Sequence, residues 1–137
     1  MKYIIRNLVK GEYDKWRKFA TNLISKNINK KLDYGNTEFR AYVNELPDQI
    51  KKLDTYYQKL VVYYLAPDII KDDKKQKEIY LENKERIDAK YDEFLKIIRR
   101  IESIEAQIWQ LKALDNVHKY RKENAKKIKE YEHNERI

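Results

Sequence analysis

Cysteine is absent from this chain, and glycine and proline occur twice each among 137 residues. The first absence removes disulfides and thiol chemistry and is compatible with any compartment. The second leaves too few turns for a sheet or Greek-key architecture, so the expected class is all-α. Serine is confined to Ser25 and Ser103 and histidine to His118 and His133. Neither serine has an evident base and orienting group, and glycine is too scarce for a phosphate-cradling loop. No apolar run approaches a membrane span, and Met-Lys-Tyr-Ile-Ile-Arg has no signal-peptide core. The expectation is a non-enzymatic protein in an intracellular setting, cytoplasmic or associated with nucleoid or virion, needing no cofactor and no metal, with a membrane partner disfavoured.

What is abundant is charge, and it is unevenly placed. Residues 1–31 hold nine Lys or Arg against Glu12 and Asp14, a net +7 of the +8 carried by the whole chain. Charge concentrated in this way favours a polyanionic partner, whether nucleic acid, an anionic membrane or an acidic protein, over simple solubilisation. Lysine and isoleucine richness also follows from an AT-rich genome, which is the bland alternative.

The seventy residues from Asp68 to Ile137 contain no glycine or proline. Ile87, Tyr91, Phe94, Ile98 and Ile101 recur at steps of four and three, and the row continues through Ile104, Ile108 and Leu111 after a step of three replaces one of four. Leu95, Ile97 and Trp109 widen the stripe, which suits a helix packed on several others better than a two-stranded seam. A helix from Asp73 to Tyr131 would be about 90 Å long, more than a compact domain of this size spans. The expected relief is a corner at Asp115-Asn116, two capping-type residues, with a shorter basic helix folding back; a single projecting rod is the alternative.

Earlier in the chain, Tyr3, Ile4, Ile5 and Leu8 form a short apolar start, either a strand-like arm or the first turn of a helix. Gly11 reads as an N-cap with Glu12 and Asp14 in the first turn, opening an amphipathic helix through Trp16, Phe19 and Leu23 to about Asn29. Tyr34-Gly35-Asn36 is a turn, Thr37 a cap, and Pro47 an end or kink between two helical segments, the second ending near Leu65. Asp73 with Gln76 forms a capping box for the long helix. The whole is one domain over 1–137, a helical bundle built on a long C-terminal helix.

Two patterns invite a chemical reading. Glu130 and His133 make one Glu-x-x-His pair, but di-iron bundles need two such pairs and further carboxylates. Pro67-Asp68 with Glu82-Asn83-Lys84 superficially resembles the Pro-Asp…Glu-x-Lys signature of a nuclease superfamily, whose acid and lysine lie on a strand rather than in a helical pattern. The twelve tyrosines, among them Tyr56-Tyr57 and Tyr63-Tyr64, serve as core and interface rings or as stacking platforms for bases. The leading expectation is contact with DNA or RNA through Lys15, Arg17, Lys18, Lys26, Lys30 and Lys31. The other is a protein-binding inhibitor, adaptor or virion-type assembly protein of a phage, virus or plasmid, and either leaves room for a homo-oligomer.

Overall fold

The computed structural model describes residues 3–67 and 69–135, with side chains through Glu132. Lys2, Asp68 and the His133 side chain, which entered the sequence reading, lie outside the described residues. Among those described, the chain is all-α, with helices α1 (Arg6–Asn27), α2 (Asn36–Lys59), α3 (Asp73–Glu82) and α4 (Lys84–Glu135), and a π-helical turn at Leu60–Tyr64 after α2.

α1 starts earlier than its capping signals indicate. Ile5 is extended and offers no side-chain cap. The extra turn is held from outside: Val9 is fully buried, and the Arg6 guanidinium donates to the carbonyls of Val61 and Ala66 at 3.1 and 3.4 Å. Gly11 therefore sits inside the helix, exposed, rather than capping it. At the other end Arg40 of α2 donates to the carbonyls of Asn27, Ile28 and Lys30, supplying donors that the last helical turn lacks.

α2 runs through Pro47 without a break. The ring removes one amide donor, yet Phe39, Val43, Leu46 and Leu53 are buried and Ile50 is half-buried, all at steps of four and three. Burial of that unbroken row outweighs a penalty of about 3 kcal/mol for interior proline. The following π-turn closes with Leu65 N–H donating to the Leu60 carbonyl at 2.8 Å. Its wider loop turns Val62 and Tyr63 to solvent and returns Leu65 and Ala66 to the core.

The long C-terminal helical stretch is interrupted at Asn83, not at Asp115. Asp72 caps α3 by accepting from the Lys74 amide at 3.0 Å, one residue before the expected cap, and Gln76 donates to the Ile70 carbonyl rather than closing a capping box. Asn83 leaves helical geometry and turns its amide on the Ile79 carbonyl, while its own carbonyl accepts the first hydrogen bond of α4 from Ile87. Tyr80 then donates to Asp88 at 2.6 Å, which also pairs with Lys84, fastening α3 to the start of α4.

α4 is a continuous 52-residue helix, about 78 Å long. Its row Ile87, Phe94, Ile97, Ile98, Ile101, Ile104, Ile108 and Leu111 is buried, as the periodicity predicts. Trp16, Phe19 and Leu23 are half-buried against it. Trp109, expected to widen that stripe, is instead 71% exposed. One core cluster joins Val9, Ala20, Leu53 and Leu60 to the first half of this row, and the other joins Leu32, Phe39, Val43 and Leu46 to Ile104, Ile108 and Leu111. α1 and α2 thus form an antiparallel hairpin laid along α4. Past Asp115 the helix leaves the bundle as a projecting rod, and among the described residues no corner or returning helix forms.

Candidate nucleic-acid interface

On α1, Lys15, Lys18, Asn22 and Lys26 are spaced by three and four residues, so they share the side turned away from Val9, Ala20 and Asn27. All four are exposed, and Lys15 to Lys26 spans about 16 Å of axis. The Lys15 ammonium lies 5.2 Å from the Trp16 ring centroid, a cation–π contact at the helix margin.

Arg17 does not belong to this row. It points at α2, donating to Asp54 through Nε at 3.0 Å and Nη2 at 3.4 Å, and Tyr13 donates to the same carboxylate at 2.6 Å. Tyr13 also stacks on Tyr57 with ring centroids 3.9 Å apart. Burial first, and the hydrogen bond to Asp54 second, push the Tyr13 phenol up to about 12. This is an α1–α2 fastening, and it occupies the Arg17 charge.

The exit of α1 is held in place by an acid from the far end of the sequence. Asp115 is 2% exposed, and its Oδ1 accepts the backbone amides of Asp33 and Tyr34 at 3.0 and 2.8 Å. Its other oxygen pairs with Lys119 at 3.1 Å. The Tyr34 amide first, outweighing burial together with Lys119 and the Asp33 amide, holds its carboxyl below the usual carboxylate range. Capping chemistry is present at this position, as the sequence indicates, but the amides it serves are 81 and 82 residues away. Gly35, at φ 74°, completes the turn, with Leu111 only 3.2 Å from where a Cβ would sit. One helical turn on, His118 stacks on Tyr34 with ring centroids 5.1 Å apart.

This clamp brings Lys30 and the end of α1 against α4. Burial lowers the pKa of Lys112, and the charges of Lys30 and Lys26 lower it further, so ammonium groups from α1, the loop after it and α4 share one region of positive potential. Lys31 is exposed in the same loop. Of the six residues singled out in the sequence, Lys15, Lys18 and Lys26 lie on one face, and Lys26 and Lys30 converge with Lys112. Arg17 is set apart. Lys112 was missed because it lies 81 residues from Lys31, outside the strongly basic segment; its place beside buried Leu111 was the available signal.

Among the described residues, the features that invite a chemical reading do not assemble. Glu82 ends α3 and Lys84 begins α4, both on helices, with Lys84 paired to Asp88. Among the described residues no group of three metal-ligating side chains converges. A cleft between α2 and α4, lined by Tyr56, Ile97, Lys52, Lys96, Arg100 and Glu93, offers no nucleophile with a base. Tyr63 is 74% exposed and Tyr64 half-buried, one ring out and one toward the core, whereas Tyr56 and Tyr57 are both half-buried. Among the described residues no helix is long and apolar enough to cross a membrane. No family model, curated protein or solved structure matches this chain.

Proposed function

We propose that this chain is a non-enzymatic helical binding protein that holds nucleic acid by its phosphate backbone. The surface concerned runs along Lys15, Lys18 and Lys26 of α1 to Lys30, Lys31 and Lys112. The observation that carries the reading is the exposed row of Lys15, Lys18 and Lys26 along one face of α1, close enough at its end for the charges of Lys26 and Lys30 to act on Lys112. Gathering like charges around a partly buried ammonium opposes folding, and a polyanion seated there reverses the sign of that contribution. Phosphates spaced along a strand match a row of cations better than a point anion does, and backbone contacts of this kind fix position without reading sequence.

The test is a titration of labelled duplex and single-stranded DNA and RNA over a series of salt concentrations. Four to six lysine–phosphate contacts release enough counterions to give a slope of log affinity against log salt of about −3 to −5. Binding weaker than about 100 μM at low salt, the weak end of ordinary non-specific affinity, removes this reading. A stoichiometric protein recovered from the native host after nuclease treatment at moderate salt would direct the same positive surface to an acidic protein instead.

A further inference from the structure

α4 carries a second apolar row, which the bundle does not use. Trp109 is 71% exposed, Leu114 44%, Val117 45%, Tyr120 65%, Ile128 58% and Tyr131 65%. At about 100° per residue Val117, Tyr120, Ile128 and Tyr131 fall on the side of α4 opposite Ile101, Ile104 and Ile108, with Trp109 and Leu114 at its two margins. From Asn116 to Glu132 every residue is exposed except Asn124, which is half-buried and lies within the row. The exposed parts of Val117, Tyr120, Ile128 and Tyr131 amount to roughly 450 Å², in the range of the largest apolar patch of an ordinary monomer, and such patches mark interaction sites. Trp109 and Leu114 add to it at the margins.

The spacing is also narrower than that of the core row. Ala113, Val117, Tyr120, Asn124, Lys127 and Tyr131 follow steps of four, three, four, three and four, a strict 3.5-residue period of the kind that pairs two helices. We propose that the α4 rod pairs antiparallel with the α4 rod of a second copy of this chain. Centred on residue 122, the pairing sets Tyr131 against Ala113 of the second copy, large against small, and Tyr120 against Asn124, where hydroxyl and amide can hydrogen-bond. Leu114 meets Ile128, and the Lys127 stem covers Val117. A parallel, in-register pair would instead oppose two Lys127 ammonium groups and leave a void between two Ala113 methyls.

This register brings Arg121 level with Glu123 of the second copy. It also carries the two basic N-terminal regions, each +7, to opposite ends of the assembly. The pairing does not depend on what the basic surface binds.

Sedimentation equilibrium of the full chain at physiological salt is expected to give twice the 16.8 kDa monomer mass in the micromolar range. Val117→Asp with Ile128→Asp places a charge at each of two seam positions and should weaken association at least 100-fold, allowing tenfold or more for each. Both sites are exposed in the monomer, so the melting of the bundle core should be unchanged. Because the chain has no cysteine, Ala113→Cys and Tyr131→Cys chains mixed under oxidising conditions should cross-link to each other efficiently, and Tyr120→Cys alone poorly. A wild-type chain monomeric at 200 μM, or a dimer that survives the double substitution, overturns the pairing and leaves the row to a different protein. Preferential cross-linking of Tyr120→Cys overturns the antiparallel orientation.

Discussion

Replacing Pro47 by alanine should stabilise the protein, although proline-to-alanine changes in loops ordinarily do the reverse. Pro47 is exposed within α2, its ring pointing to solvent while Val43 and Leu46 before it and Leu53 after it are buried. Alanine returns an amide that can donate to the Val43 carbonyl and removes a helix-interior penalty of about 3 kcal/mol. Two effects reduce the gain. The unfolded chain recovers freedom worth about 0.4–1 kcal/mol, and a helix already relaxed around the ring regains only part of the intrinsic difference. The expected net stabilisation is about 1–2 kcal/mol, raising the melting temperature by roughly 2–6 °C for a domain of this length. Urea unfolding followed at 222 nm measures it, with an unchanged slope showing that the unfolded state is not altered. Pro67→Ala is the control: Pro67 lies outside any helix, and its replacement should be neutral or slightly destabilising. If Pro47→Ala behaves like Pro67→Ala, the packing of α2 does not carry the helix through residue 47, and Pro47 marks a boundary.

Asp115→Ala should release the Asp33 and Tyr34 amides, raising their hydrogen-exchange rates roughly tenfold or more relative to core amides, the factor for losing a bond to a charged acceptor; unchanged exchange would mean the loop holds itself. The raised Tyr13 phenol gives a pH signature. Its neutral form is the one favoured by folding, so its contribution is full below pH 10 and lost as pH rises from 10 toward 12. After discounting for its partial exposure the loss is about 1 kcal/mol; the stability difference between wild type and Tyr13→Phe should shrink across that interval, and a constant difference would refute the linkage.

The α4 core row was legible because its periodicity is long and each member is apolar; Ile104, Ile108 and Leu111 follow the step change as read from the spacing. Where the structure departs from the sequence's local punctuation, burial overrides it. Pro47 looked like a stop, yet Phe39, Val43, Leu46, Ile50 and Leu53 keep their register through it, and that periodicity was available in the sequence. Gly11 looked like a cap, but buried Val9 and the Arg6 hydrogen bonds draw the helix start back past it. Asp115 is an acceptor for orphan amides, as its residue type implies, but those amides belong to another segment and no spacing rule connects them. The same holds for the candidate site. The row of Lys15, Lys18 and Lys26 follows from helical spacing alone. Pairing of Arg17 with Asp54, 37 residues on, and the arrival of Lys112 beside Lys26 and Lys30 follow from how α1, α2 and α4 stack.

The lysine row of α1, continued through Lys26 and Lys30 to Lys112, is the surface on which the functional account rests, and charge reversal tests it most directly. Lys26→Glu, Lys30→Glu and Lys112→Glu together, measured against wild type on duplex and single-stranded DNA and RNA over a salt series, should flatten the slope of log affinity against log salt by about 2–3 units. Binding should weaken to the same degree for every sequence, because phosphate contacts carry no base information. Arg17→Ala, whose charge is already held by Asp54, should leave the slope where it is. A triple variant that binds with the wild-type slope, or an Arg17→Ala variant that loses as much as the triple, would contradict the assignment of this surface.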